Sequence, residues 1–293
     1  MIRQILVGID GSEYSDTALQ YGCYLAKAFQ ATVHGVHVVD IVQVESPLLY
    51  DLAGAIGAAP QLNLTTLMRQ NLEVRGQQLL AQCRQVCEAE QVPSVAHLVT
   101  GVVPTEILRV AQGMDLILVG RGGLHIGLSK ALLGSAVETI VRRSNTPTCV
   151  TPARFAPPRK ALLATDGSPS ARAALEIAAA FASPLALPLQ VVHCTAIATC
   201  GQQVLDEAQA RLTAVGVSSQ GELYVGNAHE DLVRYMTERA YDLLFMGAFG
   251  HQRMVEWVLG STTQYVLRTC PAPVVLCHTA LHAAHSAHEK DSC

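Results

Sequence analysis

Short uninterrupted apolar runs alternate along the chain with longer stretches whose apolar residues recur every three or four positions. Ile5 to Ile9, Leu116 to Val119 and Leu243 to Met246 are runs of the first kind. A central strand of a parallel sheet reads this way because neither of its faces meets water. The amphipathic stretches between them read as helices. Ser12 and Ser168 stand where helix N-caps belong, and Pro169 suits a first helical turn. In both halves of the chain the order is strand, helix, strand, helix, strand, helix, strand, helix, strand. That order predicts an α/β protein with two tandem doubly wound parallel five-stranded sheets, Rossmann-like, with right-handed crossovers. Ligands of such sheets sit beyond the carboxyl ends of the strands, where strand order reverses.

The two halves repeat one another. Ile5-Leu-Val-Gly-Ile-Asp10-Gly-Ser12 returns as Ala161-Leu-Leu-Ala-Thr-Asp166-Gly-Ser168, and Val36-His37-Val38 as Val192-His193-Cys194, both 156 residues on. Asp115 to Gly120 returns as Asp242 to Gly247, 127 residues on; Gly134-Ser135 and Thr146-Pro147 return as Gly260-Ser261 and Ala272-Pro273, 126 residues on. A period this long marks a duplicated domain, not a solenoid unit. The boundaries read 1–152 for the first domain, 159–279 for the second and 280–293 for a His-rich tail, with the Pro- and Ala-rich joint Thr151 to Pro158 between the domains. The change of offset places about 30 extra residues in the first copy, between Asp40 and about Thr66, as a lid or an interface helix. One more extra residue falls between Gly123 and Gly134.

Composition narrows the function. Of 293 residues half are hydrophobic and 15% charged, with net charge −4, so there is ample core material and no basic stripe for nucleic acid. The longest stretch of low charge is interrupted by Glu45, Pro47, Asp51, Gly54 and Pro60, a poor membrane span. No signal peptide is visible at the N-terminus, and the expectation is a cytoplasmic protein. Nine cysteines without a Cys-x-x-Cys suggest reduced thiols. Cys83 and Cys87, one helical turn apart, read as packing residues.

The strongest chemical signal is Gly247-Ala-Phe-Gly250, then nine residues, then Gly260-Ser261-Thr262. Glycines at a strand end let the backbone approach a phosphate and take positive φ. Successive N–H groups form a nest, and the free N–H groups and positive dipole end of the next helix favour an anion. His251 and Arg253 fall in the loop between. Neither copy has a P-loop, and the glycines follow the fourth strand, unlike the dinucleotide fingerprint.

The spacing G-x2-G-x9-G-[ST], with the strand-end Asp and the closing Pro-x-Val strand, resembles the ATP-binding motif of universal stress proteins. The chain is similar to the tandem type over nearly its whole length. The resemblance implies the adenine-nucleotide α-hydrolase-like form of the fold and ATP or AMP as ligand, with or without magnesium. It places adenosine at Thr165, Asp166 and the Cys194 backbone. It places ribose and phosphates at Gly247, Gly250, Gly260, Ser261 and Thr262, with His251 near the phosphate tail. The matching first-copy positions are Ile9, Asp10, Val38, Gly120, Gly123, Gly134 and Ser135, where the loop is one residue longer. It further implies pairing through the last strands, Thr148 to Thr151 and Val274 to Cys277, within the chain, and leaves a homodimer and an unknown protein partner open.

Plainer readings stand beside these. Asp10 and Asp166 also suit Asp-Gly-Ser turns. His37 and His193, at the ends of apolar strands, read as satisfied core histidines. The tail's His278, His282, His285 and His288 fit either a frayed terminus or a metal-capturing face. The alternatives to a nucleotide-binding stress regulator are an interaction module with vestigial sites, a slow ATPase, and a metal or redox sensor.

Overall fold

The computed structural model describes residues 1–41, 62–123, 133–195, 201–249 and 259–278. The first half runs β1 (Gln4–Gly8), α1 (Glu13–Phe29), β2 (Thr32–Asp40), α2 (Leu62–Ala89), β3 (Ser94–Gly101), α3 (Val103–Val110), β4 (Leu116–Gly120), α4 (Ser135–Arg143) and β5 (Thr148–Thr151). The second runs β6 (Ala161–Ala164), α5 (Pro169–Ala182), β7 (Leu189–Thr195), α6 (Gln202–Ala214), β8 (Ser219–Val225), α7 (Ala228–Glu238), β9 (Leu243–Gly247), α8 (Ser261–Thr269) and β10 (Val274–Cys277). The caps read from sequence are in place. Ser12 Oγ accepts the N–H of Ser15 and Ser168 Oγ that of Ala171, both at 3.2 Å, so α1 and α5 start where their serines fix an orphan donor.

Within each half the strands are parallel and ordered 3-2-1-4-5, with the reversal between β1 and β4, and between β6 and β9. The two sheets expected from the pattern are halves of one ten-stranded sheet. Its seam is antiparallel: Val274 pairs with Val150, Val275 with Cys149 and Leu276 with Thr148. Both seam strands are buried along their whole length, so their apolar sequences are satisfied only by each other and by the flanking helices.

Period-two alternation divides each strand between two cores. Ile5, Val7, Leu116, Leu118, Leu163, Phe245 and Val275 face α1, α2, α5 and α6. Leu6, Ile117, Val119, Leu162, Leu244, Val274 and Leu276 face α3, α4, α7 and α8. Both cores run unbroken across the seam. On the first, Phe29 of α1, Phe181 of α5 and Phe245 of β9 make a chain of edge-to-face contacts at 5.0 and 5.2 Å. The joint between the halves is packed as well: Tyr21 OH donates to Ala156 O, and Phe155 meets the Tyr21 ring at 4.7 Å.

The extra length of the first half differs from the expectation of an insert ending near Thr66. α2 has 28 residues where α6 has 13. Gly76 and Gly201 make the same contact, against His37 and His193, so the helix from Leu62 to Arg75 has no counterpart in the second half. Residues 42–61 lie outside the described residues, as does the stretch 124–132 that carries the single extra residue. Cys83 and Cys87 pack in the first core as expected; there Cys87 also meets Cys23 of α1, with Sγ atoms 3.8 Å apart. Among the described residues no helix is long and apolar enough to cross a membrane.

Because the halves share one sheet and continuous cores, the chain is expected to unfold in a single transition. Phe181→Ala, which removes the ring bridging Phe29 and Phe245, should cost about 3–5 kcal/mol. Urea denaturation followed by circular dichroism checks both. Two separate transitions would contradict the shared core.

Candidate functional site

At the carboxyl ends of β6, β7 and β9 a cavity of about 330 Å³ opens over the reversal point of the second half. Its walls hold seven residues singled out from sequence: Thr165, Asp166, Cys194, Gly247, Gly260, Ser261 and Thr262. Gly250 and His251 lie outside the described residues. The floor is apolar, from Ala164, Val192 and Met246 on the strands, with Leu232 of α7 and Phe249 at the sides. This floor suits a flat ring system, and the polar groups gather at one end, an arrangement common to small-molecule pockets.

Each polar group is held by local chemistry. Asp166 folds the turn before α5: its Oδ1 accepts the N–H of Ser168 at 2.9 Å, with Gly167 at φ +76°. The turn reading of this Asp is thus correct, and the same turn puts its carboxyl group in the cavity wall. Behind it, His193 Nδ1–H donates to Thr165 O at 2.7 Å, as His37 does to Ile9 O at 2.7 Å. The strand-end histidines are therefore satisfied, and they fix the residue before each Asp. The loop Gly247 to Phe249 is tied from two sides. Thr263 Oγ1 donates to Ala248 O at 3.0 Å, and Ser170 Oγ donates to Phe249 O.

The glycines act differently from the expectation of positive φ. Gly260 has φ −58° and Gly134 φ −62°, and the left-handed residues near the sites are Gly11 and Gly167, in the Asp turns. Gly247 is required for closeness: a Cβ there would stand 2.5 Å from Ser170 Oγ and 2.8 Å from Ala171 N. A Cβ on Gly120 would stand 2.5 Å from that of Tyr14. A Cβ on Gly260 would meet nothing nearer than Thr263 Oγ1 at 3.6 Å, so its value lies in leaving the mouth of the cavity open.

The start of α8 has the electrostatics of an anion site. Gly260, its N-cap, offers no side-chain acceptor, and the first turn holds no acidic residue. The N–H groups there keep their donors and the positive dipole end is not neutralised. α4, its counterpart, carries Glu138 in its first turn. Cys194 contributes wall and backbone; burial, then the charge of Asp231, pushes its thiol up to about 11, so it stays protonated at neutral pH.

In the first half the matching residues also gather at the carboxyl end. Asp10 Oδ1 accepts Ser12 N–H at 2.8 Å, and a Cβ on Gly123 would lie 2.9 Å from the Asp10 carboxylate. Gly134 N–H donates to Arg121 O at 3.1 Å, ahead of Ser135 at the start of α4. Ile9 is buried, and Val38 sits near the end of β2 beside Val99. Sequence reasoning passed over Ala228 and Leu232, which α7 brings to the second cavity after the Asn227 cap. It also passed over Gly201, which admits the His193 ring and has only its spacing from Gly76 as a signal.

Comparison with known proteins bears on what this site is. The profile of the Universal stress protein family matches residues 1–152 and 196–278. Universal stress protein Slr1230 of Synechocystis is 30% identical over 284 residues, 94% of this chain and 99% of the relative. Universal stress protein MJ0531 of Methanocaldococcus jannaschii is 28% identical over 152 residues, 51% of this chain and 82% of its own. Among solved structures, a universal stress protein from Archaeoglobus fulgidus superposes with a TM-score of 0.77 at 21% identity, covering 94% of this chain and 98% of its own.

Two outcomes follow from the geometry. Gly201→Ala would set a methyl well inside van der Waals contact of Leu223 Cδ1 and His193 Cδ2. It should lower stability by about 1–3 kcal/mol, read as a fall in the urea midpoint. His278 donates from Nε2 to Val141 O at 2.7 Å, and burial holds its pKa below the ordinary imidazole value. A depressed imidazole stabilises fully above the unfolded value of about 6.5 and loses that contribution as pH falls toward the folded value. Burial lowers His34 and His97 similarly. Urea midpoints at pH 7.5 and 5.5 should therefore differ, and less so in His278→Gln.

Proposed function

The chain belongs to the universal stress protein family, and from that premise we propose that it is an adenine-nucleotide-binding stress regulator whose second half holds the nucleotide. The observation that carries this reading is the cavity at the end of β6, β7 and β9, closed on one side by the uncapped, acid-free start of α8. Adenine lies on the apolar floor between Val192 and Met246, against Thr165, Asp166 and the Cys194 backbone. Ribose and phosphates, of ATP or AMP, meet Gly247, Gly260, Ser261 and Thr262, with Gly250 and His251 completing the loop. Magnesium, where it takes part, comes with the phosphates.

Binding, as opposed to turnover, is supported by the wall chemistry. Asp166 is the one carboxylate among the described wall residues, and its Oδ1 is engaged in its own turn. General-base hydrolysis needs a base within hydrogen-bond reach of the attacking water, commonly with a second group to hold it. The first half, with Ile9, Asp10, Val38, Gly120, Gly123, Gly134 and Ser135, is a second and weaker nucleotide end, since Glu138 sits in the first turn of its anion helix. The protein works in the cytoplasm through partner choice, alone or as a homodimer.

Nucleotide released by denaturing the purified protein, identified and counted by mass spectrometry, tests the reading. Gly260→Val should abolish binding at the second half while leaving the melting curve intact, because isopropyl bulk fills the cavity mouth where phosphate approaches. Gly134→Val should cost less. Unchanged ATP affinity in a folded Gly260→Val protein would place the site elsewhere.

A further inference from the structure

The antiparallel seam turns the carboxyl ends of the two halves in opposite directions. α8 therefore starts at the ligand end of its own half and finishes beside the ligand end of the other. It is held there from across the seam. Arg121, the residue after Gly120, donates from its guanidinium to the carbonyl of Cys270, the C-cap of α8. The pseudo-twofold mate of this contact is made by His278, just beyond β10. It donates to Val141 O near the end of α4, and its ring meets Phe249 of the second glycine loop at 4.7 Å. Each anion helix thus spans from its own glycine loop to a group tied to the other one.

The two crossings differ in charge, and the difference gives the pair a direction. Arg121 is a largely desolvated cation. Among the described residues no carboxylate lies within ion-pair distance of it, and its buried Nε has no partner. Its own carbonyl accepts the N–H of Gly134, which sets its backbone against the N-cap of α4, where an anion held by the first half would sit. Two acceptors therefore compete for one guanidinium: a neutral carbonyl at the end of α8, and an anion at the start of α4. A hydrogen bond to an ionised acceptor is about twice as strong as one to a neutral acceptor.

We propose that Arg121 couples the two ligand ends with negative sign. A phosphate group on the first glycine loop draws the guanidinium from Cys270, and α8, released at its C-terminus, holds the phosphate at its N-terminus less tightly. α8 has nine residues, a length at which a helix depends on outside contacts. A cation at its C-terminus and an anion at its N-terminus act on the same dipole, so losing one weakens the other. This rests on the nucleotide reading given above for both ends.

The test uses the full chain, titrated with ATP and followed by calorimetry and by the fluorescence of Trp257. That residue is the single tryptophan and falls between Gly250 and Gly260, so it reports on the second half. Gly134→Val, closed at the first end, should bind one equivalent. Adding Arg121→Gln to it should weaken that step roughly threefold to tenfold. Arg121→Lys in the same background keeps the charge and should restore most of the loss, which a purely steric role would not do. In the otherwise unaltered chain the second-half affinity should fall as the first end fills, and in Arg121→Gln it should not change. Equal second-half affinity in the parent chain, Arg121→Gln and Arg121→Lys would overturn the proposal. If the Gln variant does not melt cooperatively, the Lys variant carries the test, with an affinity above that of Gly134→Val overturning it. A folded Gly134→Val protein that binds no ATP would refute the nucleotide reading of the second half, and the coupling with it.

Discussion

The structure depends on one antiparallel pairing between two short buried strands. β5 and β10 are the outer strands of two parallel sheets, and each is apolar on both faces. Left open, either would present unpaired N–H and C=O groups and a template for association. Pairing them satisfies both edges at once and brings the helices beside them into common cores. It also fixes the relative direction of everything else. The carboxyl ends of the first half point one way and those of the second half the other, so no ligand can bridge them and any communication must pass through the seam.

Duplication has kept the devices that position a site and let the residues that meet a ligand drift. In both halves a histidine N–H holds the carbonyl before the Asp, at 2.7 Å. In both, the Asp folds its own turn onto a serine N–H, and a glycine lets a helix lie against the histidine ring. These are packing and backbone requirements, the same whether or not a ligand is present. The differences fall at the anion helices and their loops. Glu138 occupies the first turn of α4, and Gln264 the matching position in α8. Arg121 stands where the second half has Ala248.

Much of this arrangement was legible in the sequence, for physical reasons that also mark where legibility stopped. Strands buried on both faces leave continuous apolar runs, so β1, β4 and β9 stand out, and the repeat fixed which strands pair at the seam. Seven of the residues picked for the second site line one cavity, since strand ends and helix starts are marked by Asp, Gly and Ser. The reach of the extra segment was not legible, because a helix that gains turns at its start keeps the same periodicity; Leu62 to Arg75 reads like the rest of α2. The reason for each glycine was also hidden. Positive φ and close approach both select glycine, and only coordinates separate Gly167, which needs the first, from Gly247, which needs the second. The contribution of α7 could not be read at all, since Ala228 and Leu232 are ordinary helix residues that topology delivers to the cavity.

The charge balance of the second cavity says what kind of binding it favours. Among its described wall residues the single ionisable carboxyl is Asp166, and no lysine or arginine is present. A phosphate seated there is met by backbone donors and a helix dipole, which contribute fixed partial charges and need no side-chain ordering. Such a site discriminates by shape and by the apolar floor more than by total charge. Each further phosphate adds repulsion from Asp166 that the donors must offset. Occupancy should then respond to the concentration of the adenosine-bearing ligand and to the fit of its first phosphates. A regulator that reads nucleotide level without consuming it needs that behaviour, and a hydrolase, which must stabilise charge growing on the last phosphate, does not.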